Sequence, residues 1–313
     1  METTTEHDVL IVGGGPAGLS AGIYASRAGL KAVITEMSAL GGQIAISSIL
    51  ENYPGISSIS GLEFGEMLAH HAEAAGCSLI RDEVTKVWRT DDGVFHTVVG
   101  GEEHTSKVLI YAAGSQPRLA GFENEERFTG RGVSYCATCD GMLFRDKPVY
   151  VVGSGQSACE EAEYLTRMSS SVTMLVRGDI LKGTLSSRQA LESNPKVEIR
   201  YNTRILGLSG DMFPESITTE NLETGERLTE ELGARAFGVF VFVGYQPRYR
   251  LVLDLVDIEN TAIATDSNMR TKTPGLFAVG DVRNTVLRQA VTAVSDGAVA
   301  AMDASHYIDR NRI

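Results

Sequence analysis

The chain has 313 residues, with 28 Lys and Arg against 40 Asp and Glu and a net charge of −12, a balance that disfavours nucleic acid and anionic membrane surfaces as partners. Its length accommodates two domains with a core each, and 43% apolar against 22% charged residues is an ordinary globular composition. No apolar run approaches the ~18 residues of a membrane span, and the acidic start Met1-Glu2-Thr3-Thr4-Thr5-Glu6-His7-Asp8 is unlike a secretory leader, so a cytoplasmic protein is expected.

Residues 9–12 form a short apolar run that breaks into Gly13-Gly14-Gly15-Pro16-Ala17-Gly18 and then a helical stretch, 19–28. This is G-x-G-x-x-G between a strand and a helix, where glycines let the backbone approach a pyrophosphate and the helix N-terminus meets its charge. A second apolar run, 31–35, ends in Glu36, at the distance where a carboxylate accepts from an adenosine ribose hydroxyl; the plainer reading is a solvated strand end. Gly41-Gly42-Gln43 and Glu51-Asn52-Tyr53-Pro54-Gly55 are too rich in turn residues for a regular element. A helix is predicted over 63–75, with the adjacent His70 and His71 on different faces and read as surface or satisfied residues, not ligands. A small antiparallel sheet follows, with strands at 84–88 and 94–99.

Residues 108–113 form a buried strand closing on Gly114-Ser115-Gln116-Pro117-Arg118, and 237–243 close on Gly244-Tyr245-Gln246-Pro247-Arg248. Between them, 149–152 run into Gly153-Ser154-Gly155-Gln156-Ser157-Ala158, a second strand-turn-helix. The same plan thus occurs twice, which predicts an α/β chain of two Rossmann-like dinucleotide-binding domains, the second inserted in the first. The expected bounds are 1–117 with 246–313 for the outer domain and 118–245 for the inserted one. The paired G-x-Q-P-R segments mark the two crossings, with a hinge near Pro117 and Pro247. Beyond the second crossing, 273–281 make a strand ending in Asp281, and Arg288-Gln289-Ala290-Val291 opens an alanine-rich helix to about Tyr307. A strand-end carboxylate for polyol hydroxyls and a helix N-terminus for an anionic ring edge are what extended FAD requires.

The inserted domain carries Ser134-Tyr135-Cys136-Ala137-Thr138-Cys139-Asp140-Gly141, two cysteines spaced C-x-x-C with a carboxylate directly behind them. Thiols at this spacing close a disulfide within one turn of chain and store two electrons. The other readings are half of a zinc site or a structural bridge. A structural zinc wants four ligands while Cys77 and Cys159 stand alone, so no metal is expected, and disulfides in cytosolic chains tend to be transient and catalytic. Cys159 is read as a small buried hydrophobe, the alternative being a reactive thiol.

Taken together these segments resemble the low-molecular-weight thioredoxin reductases, of the class II pyridine nucleotide-disulfide reductase type, over nearly the whole chain. The resemblance rests on residues 13–18, 41–43, 51–55, 136–141, 275–281 and 288–292. It implies a homodimeric flavoprotein with FAD held by Gly13, Gly15, Pro16, Ala17, Gly18, Glu36, Gly42, Gln43, Asn52, Asp281, Arg288, Gln289 and Ala290. It also implies that Cys139 lies against the flavin, that Cys136 attacks the disulfide of thioredoxin or a similar protein, and that Asp140 handles protons. Since the cysteines lie on the inserted domain and the flavin site on the outer one, the pair serves both partners by rotation between two states, as in the family. Met142-Leu143-Phe144 falls where the family has an apolar knob that docks thioredoxin, the other reading being plain core, and Arg131 and Arg145 offset repulsion from an acidic partner.

The donor site departs from the family's pattern. Gly153, Gly155 and Ala158 keep the second glycine turn, but the family's 2′-phosphate grip, His-Arg-Arg followed four positions later by Arg, reads Leu175-Val176-Arg177 and then Leu181, with Lys182 as a neighbour. NADPH is therefore expected to be a poor donor, with a carrier such as reduced ferredoxin in its place, and the lack of an acid before Asp179 disfavours NADH. An ordinary NADPH-dependent reductase is the first alternative. A flavin-binding redox sensor that does not turn over is the second, and the intact Cys136, Cys139 and Asp140 argue against it.

Overall fold

The computed structural model describes residues 5–47 and 49–311; the first four residues, half of the acidic stretch read above, lie outside the described residues. The chain divides into two compact units, Met1–Gln116 with Gln246–Ile313, and Pro117–Tyr245.

The first unit is built on a seven-stranded sheet in the spatial order Ser78–Ile80, Ala32–Thr35, Thr5–Val12, Glu102–Tyr111, Phe95–Val99, Val84–Arg89, with Leu276–Ala278 also paired to Glu102–Tyr111. Thr5–Val12 runs parallel to both its neighbours, and the pairs within 84–111 are antiparallel. The central strands are apolar on both faces because both faces are covered. Val9, Ile11, Val108 and Ile110 enter the core shared with the helices, and Leu10, Val12, Leu109 and Tyr111 enter the core on the opposite side. The helices Pro16–Arg27 and Ala290–Asn311 cross so closely that a Cβ at Gly297 would overlap the Ala17 carbonyl oxygen.

Two local expectations are corrected. The glycine-rich segment after Leu40 is not irregular throughout, since Gly42–Ile46 is a 3-10 turn. Gly41 (φ +97°) and Gly42 (φ +56°) supply the left-handed backbone that lets the chain enter it. The strands Val84–Arg89 and Phe95–Val99 do not form a separate small sheet; they continue the main one through Glu102–Tyr111. The helix predicted over 63–75 spans Gly61–Ala74, its start fixed by Ser60, whose hydroxyl accepts the Glu63 amide at 3.2 Å. His70 and His71 lie exposed on it.

The second unit repeats the plan with a parallel sheet in the order Val197–Arg200, Ser171–Leu175, Pro148–Val152, Gly238–Val241, Val133–Ser134. An antiparallel meander, Thr203–Ser209, Ser216–Asn221 and Arg227–Glu231, completes it. The helix Gln156–Thr166 follows the second glycine turn. Cys159 is wholly buried among Ala158, Ala162 and Leu181, and burial pushes its thiol up, the behaviour of a packing residue. Where the chain passes between units, Ser115–Pro117 and Tyr245–Pro247 pair with each other. Among the described residues, no helix is long and apolar enough to cross a membrane.

Candidate active site

At the end of Thr5–Val12 the chain turns through Gly13, whose φ of +111° and position against the Ala112 carbonyl exclude a side chain. A Cβ at Gly18 would overlap the Gly13 carbonyl oxygen, so the helix backbone rests directly on the turn. Gly15 is different: its nearest neighbour is the Gly41 carbonyl, 4.0 Å from where a Cβ would stand. It is also the helix N-cap and brings no side chain to the free amides of the first turn, and Pro16 follows it. Bare amides beside an open backbone make a seat for a pyrophosphate.

Glu36 is more than a solvated strand end. Its carboxylate accepts the Gly14 amide at 2.8 Å on one oxygen, and the Ser38 amide and hydroxyl at 2.9 and 2.8 Å on the other. It therefore braces the glycine turn while keeping lone pairs for a ribose hydroxyl. Gln43 is exposed on the 3-10 turn. The Asn52 side-chain amide donates to the Gln289 side-chain oxygen at 2.9 Å, joining residues from distant parts of the sequence just before the C-terminal helix begins at Ala290.

Asp281 stands in a 3-10 turn after Leu276–Ala278. Burial pushes its carboxyl up to about 6, with Arg288 pulling it back and Asp296 adding to the rise. A desolvated acid at the end of a parallel strand is suited to accept a ligand hydroxyl. Gly13, Gly15, Pro16, Ala17, Gly18, Glu36, Gly42, Gln43, Asn52, Asp281, Arg288, Gln289 and Ala290 all belong to this first unit, and its side-chain-free cradle fits FAD.

In the second unit Cys136 and Cys139 are joined in a disulfide, with Cα atoms 5.3 Å apart. Cys136 caps the turn Ala137–Asp140, its sulfur accepting the Cys139 amide at 3.2 Å. The Cys136 amide donates to Ser134 Oγ at 3.1 Å. Both cysteines are half-buried. Asp140 has a buried Oδ1 with no hydrogen-bond partner in the structure; burial raises its carboxyl, and Ser134 pulls it back. Of the three apolar residues that follow, Phe144 is core, edge-on to Phe240. Met142 and Leu143 are 46% and 40% exposed, so the stretch is core at one position and surface at two. Arg131 and Arg145 are exposed.

The second glycine turn opens into a cleft of about 340 Å³ lined by residues 152–158, Leu175, Arg177 and residues 242–245. Gly153 is locked against the Phe242 carbonyl, whereas nothing lies near the Cβ position of Gly155, and Ala158 is buried beneath. Leu175, Val176 and Leu181 are buried core residues, and Arg177 and Lys182 are the exposed ones. The exposed cations of this segment are therefore Arg177 and Lys182, the neighbour of Leu181 noted in the sequence. Sequence reasoning also passed over Tyr245, which lines the cleft and donates its hydroxyl to the Tyr135 carbonyl at 2.6 Å.

The sequence profile of the pyridine nucleotide-disulphide oxidoreductase family matches residues 7–297. The chain belongs to that family. Among its relatives in the family, the thioredoxin reductase of Treponema pallidum (strain Nichols) is 42% identical over 306 residues, 97% of this chain and 98% of that protein. That of Bacillus subtilis (strain 168) is 37% identical over 307 residues, 97% and 95% of the two chains. A crystal structure of thioredoxin reductase from Streptococcus pyogenes MGAS5005 superposes with a TM-score of 0.91 at 38% identity, covering 98% of this chain and 100% of its own. The protein is thus an oxidoreductase of the low-molecular-weight thioredoxin reductase class, and FAD is the cofactor this family implies.

Proposed function

We propose that the protein is a FAD-dependent reductase of protein disulfides, passing two electrons from a soluble donor to thioredoxin or a similar small protein through Cys136 and Cys139. The reading is carried by the Cys136–Cys139 disulfide at the start of a helical turn, with the incompletely bonded, buried Asp140 carboxyl directly behind it. Bound FAD supplies two-electron chemistry between donor and disulfide.

Two electrons break the Cys136–Cys139 bond and leave two sulfurs that need protons; Asp140, its carboxyl raised by burial, is placed to deliver and recover one. The Cys136 thiolate attacks one sulfur of the partner disulfide, and the partner's other sulfur leaves as a thiolate. Cys139 then attacks the mixed disulfide, re-forming the intramolecular bond and releasing reduced partner. Exposed Met142 and Leu143 give apolar docking contact, and Arg131 and Arg145 complement an acidic partner. The protein acts as a cytoplasmic homodimer.

For the donor, the open cleft at Gly153–Gly155 supports NADPH over a ferredoxin-like carrier. For its 2′-phosphate the cleft offers Arg177, with Lys182 on the adjoining segment, fewer charges than the family grip supplies, and each missing charge-assisted bond is worth ~1.5–3 kcal/mol. NADPH binding is accordingly weak. Anaerobic titration of the holoprotein with NADPH, NADH and reduced ferredoxin, coupled to thioredoxin, tests the assignment. Flavin bleaching by NADPH supports it, and bleaching by ferredoxin alone moves the donor to a carrier. Failure of every donor to reduce a protein disulfide leaves the sensor reading.

A further inference from the structure

A second carboxylate stands against the redox turn. On the helix Gln156–Thr166, Ala158, Ala162 and Leu165 pack with Ala137 in one core. They lie at helical spacings that place Glu161 on the same face. A glycine packs here as well, since a Cβ at Gly141 would press on Leu165 and Met168. The Ala137 amide, the first after Cys136, is the group of this turn that pulls the Glu161 carboxyl down. Its Oε2 is buried with no hydrogen-bond partner in the structure. An unbonded acid oxygen at the flank of an apolar helix face costs stability unless it serves something.

We propose that Glu161 is a positioning residue of the Cys136–Cys139 pair: its carboxylate stands on the helix packed against the Ala137 end of the redox turn, and its charge sets how readily the reduced pair forms a thiolate. The inference rests on the pair being the redox centre. The groups that act on Glu161 from around it are Glu160 on its own helix and the Ala137 amide of the redox turn. Burial and Glu160 raise its carboxyl, and the Ala137 amide lowers it. A negative charge beside a sulfur disfavours thiolate and so restrains reaction of the reduced pair.

The test is iodoacetamide alkylation of the anaerobically reduced holoprotein across pH 6–9. Mass mapping restricts the readout to Cys136 and Cys139, apart from the buried Cys77 and Cys159. Glu161→Gln keeps the size of the side chain and removes the charge; Glu161→Ala removes both, and either variant suffices if the other does not fold. The expected result is alkylation roughly three- to tenfold faster at pH 7, with the rate profile displaced to lower pH, while Glu163→Gln on the same helix behaves as wild type. A profile unchanged in the Glu161 variants, or displaced equally by Glu163→Gln, overturns the proposal. Because the readout is thiol chemistry, its result is independent of whether thioredoxin is the partner.

Discussion

The Lys182 amide donates to the Ser154 carbonyl at 2.6 Å, laying the segment that carries Arg177 and Lys182 along the second glycine turn. The backbone contact puts both cations next to a turn suited to a pyrophosphate, although only Arg177 lines the cleft itself. Arg177→Ala and Lys182→Ala should each weaken NADPH about tenfold and together leave NADPH and NADH nearly equal. Flavin bleaching rates against nucleotide concentration measure this; wild-type rates in the double variant contradict it.

Gly18 has no room for a side chain against the Gly13 carbonyl. Gly18→Ala should lower stability by roughly 1–3 kcal/mol and strip FAD, read as flavin absorbance per chain after gel filtration. A stable yellow variant would show that the turn is not the seat of the cofactor. The wild-type protein should purify with one FAD per chain, and FMN released on heating would contradict the cofactor assignment.

Asp281 predicts an unusual pH dependence. Its carboxyl is raised from 3.8 to about 6 in the folded protein, so between those values the folded state holds a proton that the unfolded state has released. Its contribution therefore becomes unfavourable as pH rises through that window and stays so above it, by at most about 3 kcal/mol. Asp281→Asn should stabilise the deflavinated protein at pH 7 but not at pH 4, while holding FAD less well. Denaturant midpoints at the two pH values check it; equal shifts at both would show that the charge is not the cause.

The buried His7 and His104 rings, bonded at 3.1 Å, act in the opposite sense. Burial first, then the His104 charge and Lys31, push His7 from 6.5 down to about 4, with Asp8 opposing. The unfolded chain thus takes a proton that the folded one refuses, and stability falls as pH drops through that window, by about 3 kcal/mol. His7→Gln should flatten the pH 7 to 4.5 difference in unfolding midpoint. If the acid loss persists unchanged in that variant, other groups carry it.

The paired glycine turns, the strand that feeds each and the Cys136–Cys139 motif were legible in sequence because each is set by local chemistry. Arg177 and Lys182 were both named in the sequence, but which of residues 181 and 182 is exposed was not legible. Whether residue 181 or 182 faces outward depends on which side chain the core takes, and Leu181 is taken by it. Glu36 was read as a ribose acceptor, yet its bond to the Gly14 amide exists only once strand and turn are assembled. Glu161 gave no signal at all, since one acid in a helix with several looks like a solvated face until Ala137 packs beside it.

The central claim is that Cys136 is the sulfur that meets the partner. Cys139→Ser leaves Cys136 without the thiol that would resolve a mixed disulfide, so incubation of the reduced variant with oxidised thioredoxin should give a covalent 1:1 adduct, lost on adding dithiothreitol and mapped by mass spectrometry to Cys136. Cys136→Ser should give none. An adduct formed by Cys136→Ser through Cys139, or no adduct from either variant with any thioredoxin, would contradict the account.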